Sequence, residues 1–417
     1  MTNISIPQNW KQTTLGKVLQ LKYGKSLPNK DRDGIGYPVY GSNGIVGKHS
    51  LPLISKPGII IGRKGSFGEV NISDGPFFPI DTTYYIDEFN GLPIKYWYYQ
   101  LKKLPLTKLN RSTAIPGLNR EDAYQQKILF PPKNEQQQIA TKLDELLTQV
   151  NNIKQRLDVI PSLLKMYIHS VLLNAVRGGL TEKYRGTSAI NLNSPVTIGL
   201  EYDDAPIGWE WKKLIDLAKL ESGHTPRKSI PEYWTNGDIH WISLQDIRQA
   251  HGTIINNTKH KPTMLGIENS SARLLPRGTV CFSRDISVGY TTIMGTEMST
   301  TQHFANWICG NSLNNRYLMY ALMAAKDHLT ISGQGTTVKT IYMPALKEFH
   351  ILLPPLDEQI LIVRQVEKLL SIADKIEEEI FSSKKNIELL SQSILNAAFT
   401  GKLTEKWREA TLTISEA

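Results

Sequence analysis

Two long stretches of the chain repeat apolar residues in alternating steps of four and three positions. The repeat is unbroken over ten positions in the first stretch, and Ser383 is the one polar member of the second. A period of 3.5 residues held over several heptads is typical of a helix that packs in a coiled coil. The predicted seam positions are Ile139, Leu143, Leu146, Val150, Ile153, Leu157, Ile160, Leu164, Tyr167 and Val171 in the first helix, and Ile362, Val366, Leu369, Ala373, Ile376, Ile380, Ser383, Ile387, Leu390 and Ile394 in the second.

Prolines and glycines mark the limits of both predicted helices. A Pro-Pro pair cannot continue a helix backwards and glycine commonly ends one, which places the helices at about residues 134–177 and 357–398. At 1.5 Å per residue, the first helix would be roughly 60–65 Å long. Pro161 lies inside it, and we expect a kink or an interruption there because proline removes a helix hydrogen bond.

The two helices belong to an internal duplication. Residues 130–136 (FPPKNEQ) recur 223 positions later as residues 353–359 (LPPLDEQ), and the closing segment 180–185 (LTEKYR) recurs as 403–408 (LTEKWR). The segment around Trp10 recurs around Trp209 with an offset of 199 positions. The chain therefore has the order globule, helix, globule, helix, and each helix seam has an obvious partner in the other copy.

Both globules are predicted to mix short strands and helices. In the first globule, residues 37–47 have the pattern of strand, Asn-Gly turn and strand, and residues 58–62 form a buried strand that ends in a basic turn. Helices are predicted at 94–104 and 315–328. In the second globule, residues 238–247 alternate like a half-buried strand, and residues 277–284 match the first basic turn.

The predicted fold class is α+β: two mixed α/β globules joined by two long helices that pack as an antiparallel coiled coil, with a pseudo-two-fold internal duplication. The predicted segments are 1–129 for the first globule, 130–185 for the first long helix, 186–205 for a polar linker, 206–352 for the second globule, and 353–417 for the second long helix and the tail.

Positive charge is concentrated in the first globule. Residues 1–129 carry 17 Lys and Arg against 9 Asp and Glu, a net charge of 17 − 9 = +8, whereas residues 353–417 carry 8 against 11, a net charge of −3. A basic globule beside an acidic helical segment fits one surface for nucleic acid and another for protein, and a merely soluble basic surface fits the charge equally well.

Common catalytic motifs are missing from the sequence. No Gly-rich stretch is followed by Gly-Lys-Ser/Thr, and neither Pro-Pro pair is framed by the polar and aromatic residues of an amino-methyltransferase tetrapeptide. The two cysteines have no metal-ligand spacing and cannot form a disulfide framework, so we expect a reducing cytoplasm. The lack of a signal peptide and of an apolar run of about 20 residues predicts no membrane association.

Taken together, these motifs closely resemble the DNA-specificity subunit of type I restriction–modification systems, over essentially the whole chain. The resemblance rests on the two Pro-Pro-x-x-Glu-Gln openings, the two long helices, the Leu-Thr-Glu closings and the paired Trp10 and Trp209. Four globule segments also look like the target-recognition domains of that family: 37–44 (YPVYGSNG), 222–226 (SGHTP), 241–247 (WISLQDI) and 335–338 (GTTV).

The resemblance implies a non-catalytic subunit that recognises a bipartite double-stranded DNA target. Each globule would be a target-recognition domain for one half-site, and the paired helices would set the gap between the half-sites. Two methyltransferase subunits, and a motor–endonuclease subunit, would be the protein partners. The chain itself would bind no cofactor, with S-adenosylmethionine, ATP and Mg²⁺ on the partner subunits. We also expect the stretch after Gly178 to be exposed, so that an insertion there would widen the gap.

Turn residues that follow strands are the natural candidates for DNA contact, because phosphate contacts supply affinity and base-edge contacts supply specificity. Arginine suits guanine, and asparagine or glutamine suits adenine. For each candidate, an ordinary surface residue is the alternative. The candidates are Lys22, Lys25, Ser42, Asn43, Arg63, Lys64 and Ser66 in the first globule, and His224, Thr225, Arg227, Lys228, Gln245, Arg284 and Lys339 in the second.

Two other interpretations of the chain stay open at this point. One is a free-standing DNA-acting enzyme, a nuclease or methyltransferase with a degenerate site, which would be active without partners. The other is a structural tether whose globules bind protein, which a salt-sensitive and sequence-selective band shift with DNA would exclude.

Overall fold

A computed structural model of the protein describes residues 6–110, 116–199, 204–332 and 339–415. The chain divides into two compact units. The first unit comprises Met1–Asp158 and Ile380–Ala417, and the second comprises Val159–Glu379. Both divisions fall inside the long helices, so each helix contributes one half to each unit.

The strands of the first unit, within the described residues, form three sheets. They are β1 (Lys11–Thr14), β2 (Lys22–Tyr23), β3 (Tyr37–Gly41), β4 (Gly44–His49), β5 (Gly58–Gly62), β6 (Val70–Ser73), β7 (Phe78–Pro79), β8 (Thr83–Ile86) and β9 (Lys127–Phe130). The order β2-β8-β5-β6 gives an antiparallel sheet, and β4-β3-β7 gives a sheet in which β3 and β7 run parallel. β1 pairs antiparallel with β9. The predicted hairpin of β3 and β4 and the buried strand β5 are confirmed.

The core of the first unit lies between β5 and the short helices, which are α1 (Ile94–Lys103) and α2 (Arg120–Tyr124). Ile59 and Ile61 of β5 are fully buried with Tyr96 and Trp97 of α1. The indole of Trp97 stacks on Phe130 with 5.9 Å between ring centroids. This packing fixes the end of β5, where the predicted basic turn begins.

The second unit repeats this plan with additions. Its strands are β10 (Val196–Ile198), β11 (Glu210–Lys213), β12 (Ala218–Ser222), β13 (Trp241–Ile242), β14 (Ile254–Ile255), β15 (Val280–Ser283), β16 (Thr291–Met294), β17 (Ser299–Thr300), β18 (Phe304–Cys309) and β19 (Phe349–Leu353). The sheet β12-β18-β15-β16-β14 matches β2-β8-β5-β6 with β14 added, and β10-β19-β11 matches β1-β9 with β10 added. β13 and β17 pair in parallel, as β3 and β7 do.

Short helices complete the second unit: α4 (Glu182–Arg185), α5 (Leu214–Leu217), α6 (Leu244–Gln249), α7 (Met264–Glu268), α8 (Asn315–Ala324), α9 (Lys326–Ser332) and α10 (Met343–Lys347). The one predicted helix at 315–328 is thus divided between α8 and α9. Tyr317 of α8 is fully buried, and its hydroxyl donates to the carbonyl oxygen of Leu352 at 2.7 Å.

Two predictions are wrong in part: the strand predicted at 238–247 is limited to β13, and the predicted linker before the second globule contains a strand. Residues 244–247 are helical because Ser243 and Asp246 form a capping box: the Asp246 carboxylate accepts from the Ser243 backbone N–H at 2.9 Å, and the Ser243 hydroxyl accepts from the Asp246 N–H. The described part of the predicted linker, residues 186–199 and 204–205, is not a free linker. It contains β10, which pairs with β19, and Leu192 and Val196 are buried.

The long helices are α3 (Lys133–Val176) and α11 (Leu356–Phe399), and α11 is followed by α12 (Glu405–Ser415). Inside each unit, the start of one long helix packs beside the end of the other, so they run antiparallel there. Ile139 of α3 shares the first core with Phe399 of α11. Ile362 of α11 shares the second core with Val176 of α3.

Most predicted seam positions are buried or partly buried, which confirms the period of 3.5 residues. The exceptions are Ile153, Ile376 and Leu390, which are exposed. Ile153 and Ile376 occupy equivalent positions in the two copies, 223 residues apart. The seam is therefore open at one equivalent position of each helix.

Helix α3 runs through Pro161 without a break, so the expected interruption does not occur. The proline is exposed, and the Ser162 hydroxyl donates to the Val159 carbonyl oxygen at 2.7 Å. By length and composition alone, α3 is also apolar enough to cross a membrane, with an 18-residue stretch of mean hydropathy 1.4. The core helix of a soluble protein passes the same test, and the end of α3 is buried in the second unit.

A buried carboxylate joins the segments of the first unit. Glu135, at the start of α3, accepts hydrogen bonds from Trp10 Nε1 at 2.8 Å and from the Thr404 hydroxyl at 2.7 Å. Arg408 Nη1 lies 2.5 Å from the same carboxylate, and Arg408 Nη2 donates to the Gly401 carbonyl oxygen at 2.7 Å. We call this arrangement the first clasp.

The second unit has the same arrangement, built from the other copy of each segment. Glu358, at the start of α11, accepts from Trp209 Nε1 at 2.9 Å and from the Thr181 hydroxyl at 2.6 Å. Arg185 Nη1 pairs with it at 2.8 Å, and Arg185 Nη2 donates to the Gly178 carbonyl oxygen at 3.0 Å. In this second clasp, as in the first, the start of one helix holds the closing segment of the other.

Replacing Glu358 with alanine should lower the free energy of unfolding of the second unit by about 3–5 kcal/mol, because Arg185 would stay buried without its counter-charge. Hydrogen exchange of the full chain should show faster exchange in the second unit and little change in the first. The control is Glu377→Ala at an exposed position of α11, expected to change stability by less than about 0.5 kcal/mol. Equal effects of the two substitutions would contradict a structural role for the clasp.

Candidate nucleic-acid interface

The basic turn of the first unit follows β5 directly. Arg63 Nη2 donates to the Asp81 carbonyl oxygen at 2.6 Å, which ties the turn to the loop before β8. The backbone N–H groups of Arg63 and Lys64 both donate to the Thr82 carbonyl oxygen, at 2.8 Å and 3.2 Å. The turn is therefore held by its backbone, and the Lys64 side chain is exposed.

An exposed tyrosine lies between two arginines beside this turn. The Tyr23 ring has Arg63 Cζ at 5.3 Å and Arg120 Cζ at 5.1 Å from its centroid. Arg63 also lies 6.0 Å from the ring of Tyr84, and burial raises the pKa of Tyr84 to about 12, which keeps that phenol neutral. Such cation–π contacts orient guanidinium groups while leaving N–H donors available.

Sequence reasoning did not identify Tyr23 and Arg120. Tyr23 follows the predicted candidate Lys22, and Arg120 opens α2, 57 positions after Arg63. The sequence does contain a signal for the helix that Arg120 opens. Asn119 is a typical N-cap residue, and its side chain accepts from the Glu121 N–H at 2.8 Å. The proximity of Arg120 to Arg63 depends on tertiary packing alone.

Two predicted residues of the first unit are engaged inside the protein. Lys22 Nζ pairs with Asp87 at 2.7 Å and Glu88 at 2.9 Å, and these hydrogen bonds raise its pKa above the ordinary value. Ser42 is buried, and its hydroxyl donates to the Thr82 carbonyl oxygen at 2.6 Å. The charge of Lys22 is thus largely compensated. Ser42 shares the Thr82 carbonyl oxygen with the backbone of the basic turn and so helps to hold that turn.

The remaining candidates of the first unit are exposed: Lys25, Asn43, Lys64 and Ser66. Asn43 lies in the hairpin turn between β3 and β4, and the Ser42 hydrogen bond connects this turn to the loop that also holds Arg63. The structure therefore brings Asn43, Arg63 and Lys64 into neighbouring turns.

Arg284 in the second unit has hydrogen-bond partners equivalent to those of Arg63 in the first. Its Nη2 donates to the Gln302 carbonyl oxygen at 3.0 Å, and its backbone N–H donates to the His303 carbonyl oxygen at 3.0 Å. These partners lie 221 positions after Asp81 and Thr82, the same offset that separates the two arginines. The two turns are thus structurally equivalent.

The side chains around the second turn differ from those around the first. The Thr225 hydroxyl donates to Gln302 Oε1 at 2.6 Å, and Asp285 pairs with His303 at 2.6 Å. The backbone of His224 is held by Thr300, with its N–H donating at 2.9 Å. Equivalent turns that carry different polar side chains can present different patterns of donors and acceptors.

The other candidates of the second unit have exposed side chains: His224, Arg227, Lys228, Gln245 and Lys339. Gln245 lies in the first turn of α6, which the capping box of Ser243 orients. Residues 335–338, which contributed to the family resemblance, lie outside the described residues. Within the described residues, no group of three or more His, Cys, Asp or Glu side chains could hold a metal ion.

The family model for the type I restriction modification DNA specificity domain matches residues 7–162 and 206–382. The chain is 27% identical to the type I restriction enzyme EcoDI specificity subunit of Escherichia coli, over 97% of this chain and 90% of the relative. It is 30% identical to the StySPI specificity subunit of Salmonella potsdam, over 67% of this chain and 58% of the relative.

Two solved structures have a similar fold. A chain from the type I R-M system whose complex assembly and conformational transition were studied superposes with a TM-score of 0.69 at 16% identity, over 95% of this chain and 99% of that one. The HsdS subunit of Thermoanaerobacter tengcongensis superposes with a TM-score of 0.58 at 17% identity, over 95% of this chain and 98% of that one.

The pairing of Lys22 predicts a contrast with Lys64. Lys64→Ala should weaken DNA binding and reduce the slope of log affinity against log salt by about 0.9, as expected for one lost phosphate contact. Lys22→Ala should leave the slope unchanged, because Asp87 and Glu88 already compensate that charge. Fluorescence anisotropy at several salt concentrations measures both. A loss of slope for Lys22→Ala equal to that of Lys64→Ala would contradict this assignment.

Proposed function

The chain belongs to the DNA-specificity subunits of type I restriction–modification systems, and we propose that it recognises a bipartite double-stranded DNA sequence for partner subunits that methylate and cleave DNA. It supplies sequence recognition and no chemistry of its own. The second unit repeats the framework of the first, down to equivalent arginines and clasps, and this duplication is the observation that carries the proposal.

Each unit reads one half-site in this proposal. Arg63 and Arg284 occupy equivalent turns, so both units place an arginine at the same point of the framework. Their neighbours differ: Tyr23 and Arg120 accompany Arg63, whereas Thr225 and Gln302 accompany Arg284. Base edges in the major groove differ in donors, acceptors and methyl groups, so different side chains on one framework select different bases.

Two methyltransferase subunits dock on the long helices, and motor–endonuclease subunits join them. Exposed apolar side chains support this part of the proposal: Val159, Leu163 and Met166 of α3 in the second unit, and Phe381 and Leu389 of α11 in the first. Contiguous exposed apolar surface on a helix commonly marks a protein interface. S-adenosylmethionine, ATP and Mg²⁺ bind to the partner subunits, and the complex acts in the cytoplasm.

Exchanging residues 218–342 for the same segment of a related subunit should change one half of the methylated sequence and leave the other half intact. These limits retain β10, β11, β19 and the second clasp, so the exchanged unit keeps its attachment to the helices. The measurement is methylome sequencing of a host that expresses the chain with its methyltransferase. The reciprocal exchange within the first unit is the control, and it should change the other half. A change in both halves from one exchange would contradict independent reading.

The long helices determine the gap between the half-sites in this proposal, because each contributes one half to each unit. The stretch after Gly178 is a poor place to test this, contrary to the expectation from sequence. Thr181 is buried and Arg185 pairs with Glu358, so an insertion there would disrupt the second clasp. An insertion inside the helices, where the chain passes between units, avoids both clasps.

Inserting seven residues into both α3 after Asp158 and α11 after Glu379 should widen the gap of the methylated sequence by about three base pairs. Seven residues preserve the heptad and add about 10.5 Å of helix, against 3.4 Å per base pair. Methylome sequencing again gives the result. An insertion into α3 alone serves as the control and should reduce methylation without producing a new gap. An unchanged gap with the double insertion would contradict the role of the helices.

A further inference from the structure

Ile286, in a turn of the second unit, has a left-handed backbone conformation that isoleucine disfavours. The turn that follows β5 and the turn that follows β15 are equivalent, and each closes with a backbone hydrogen bond: Gly68 N–H to Gly62 at 2.8 Å, and Gly289 N–H to Ser283 at 3.0 Å. The third residue of each turn is left-handed. It is Gly65 in the first unit, with φ of 73°, and Ile286 in the second, with φ of 56°.

An isoleucine in this conformation requires an explanation. Glycine adopts positive φ freely, whereas a β-branched side chain in the left-handed region is a conformational outlier. Among the described residues, the other non-glycine positions with positive φ are Asn90 and Asn236, and asparagine tolerates this region. Ile286 is thus the one β-branched case in the described part of the chain.

The surroundings impose the conformation. Asp285, which precedes the isoleucine, pairs with His303 at 2.6 Å, and its carbonyl oxygen accepts from the Ser283 hydroxyl at 3.2 Å. Ser287, which follows it, accepts from Arg248 Nε at 2.9 Å. Strain of this kind persists where neighbouring contacts overdetermine the backbone, and it clusters at functional positions.

Core packing does not account for the isoleucine. The residue is 51% exposed and contributes to none of the hydrophobic clusters of the described residues. At the equivalent Gly65, an added Cβ would meet nothing within 4 Å, so this position of the turn has space around it. The turn thus holds an apolar side chain outward, two positions from Arg284.

We propose that Ile286 is a specificity-determining residue that contacts the 5-methyl group of a thymine in the half-site read by the second unit. The inference rests on the proposed function, because it places this turn against DNA. The thymine methyl is the apolar feature of the major groove, and an apolar side chain on a rigid turn is suited to recognise it. Gly65 offers no such contact, so the first half-site lacks this methyl recognition.

The test uses the full chain in complex with its methyltransferase and duplexes that carry the methylated sequence. Each thymine of the half-site assigned to the second unit is replaced in turn by deoxyuridine, which keeps the hydrogen-bonding edge and lacks the methyl group. One replacement should weaken binding by the wild-type complex about fourfold, as expected for one buried methyl group. Deoxyuridine replacements in the other half-site, read by the unit that contains Gly65, should change binding equally in the wild type and in the Ile286→Gly variant.

The variant Ile286→Gly should weaken binding to the thymine duplex at least about fourfold and lose its sensitivity to deoxyuridine. Its melting temperature should stay within about 2 °C of the wild type or rise, because relief of strain offsets the added freedom of the unfolded glycine. A matched control is Ile207→Ala, an exposed isoleucine in the turn beside Trp209, which should keep both affinity and deoxyuridine sensitivity.

Two outcomes would overturn the inference. One is wild-type binding that no deoxyuridine replacement weakens. The other is an Ile286→Gly variant that binds more weakly but keeps the wild-type sensitivity to deoxyuridine. Either result leaves the proposed function standing if the complex still selects its bipartite sequence. Failure of the proposed function is separate, since the wild-type complex would then show no sequence selectivity at all.

Discussion

A buried carboxylate at the start of each long helix is the interaction on which the architecture depends. Glu135 and Glu358 each bind an indole N–H from the segment that enters a globule, and a threonine hydroxyl and an arginine from the closing segment of the other helix. Burying a carboxylate is costly unless it is paired and hydrogen-bonded, so each clasp is stable only when all three segments are in place. The clasps therefore couple the entry to a globule, the start of one helix and the end of the other.

This coupling leaves the turns at the strand ends free to differ. Sheets β2-β8-β5-β6 and β12-β18-β15-β16-β14 share an order, and Arg63 and Arg284 have equivalent backbone partners. What changes between the units lies around these arginines: an aromatic contact in the first, and a threonine–glutamine contact in the second. A constant framework with variable turns is the arrangement that lets one fold read many sequences, because position comes from the scaffold and selectivity comes from a few side chains.

The positive charge that is free to contact DNA depends on ion pairing as well as on composition. The first globule is strongly basic, yet Lys22 is compensated by Asp87 and Glu88, and Arg63 and Arg120 are oriented over Tyr23. Net charge draws DNA towards a surface over a distance of about a Debye length, whereas the contacts that remain after pairing decide which groups reach it. Lys25 and Lys64 are exposed, so they are better placed than Lys22 to contact phosphate.

Features that depend on local periodicity and on repetition could be predicted from the amino-acid sequence: both long helices to within one residue of each end, their antiparallel seam, the hairpin of β3 and β4, and the family. Which segments meet in space depends on tertiary packing. Tyr23 and Arg120 lie 97 positions apart, and Thr404 donates to Glu135 from 269 positions away, so no local pattern could pair them. Ser42 is a predicted DNA-contact residue that the structure buries. Its hydroxyl donates to the carbonyl oxygen of Thr82, 40 positions away, and this hydrogen bond offsets the cost of burying a polar group.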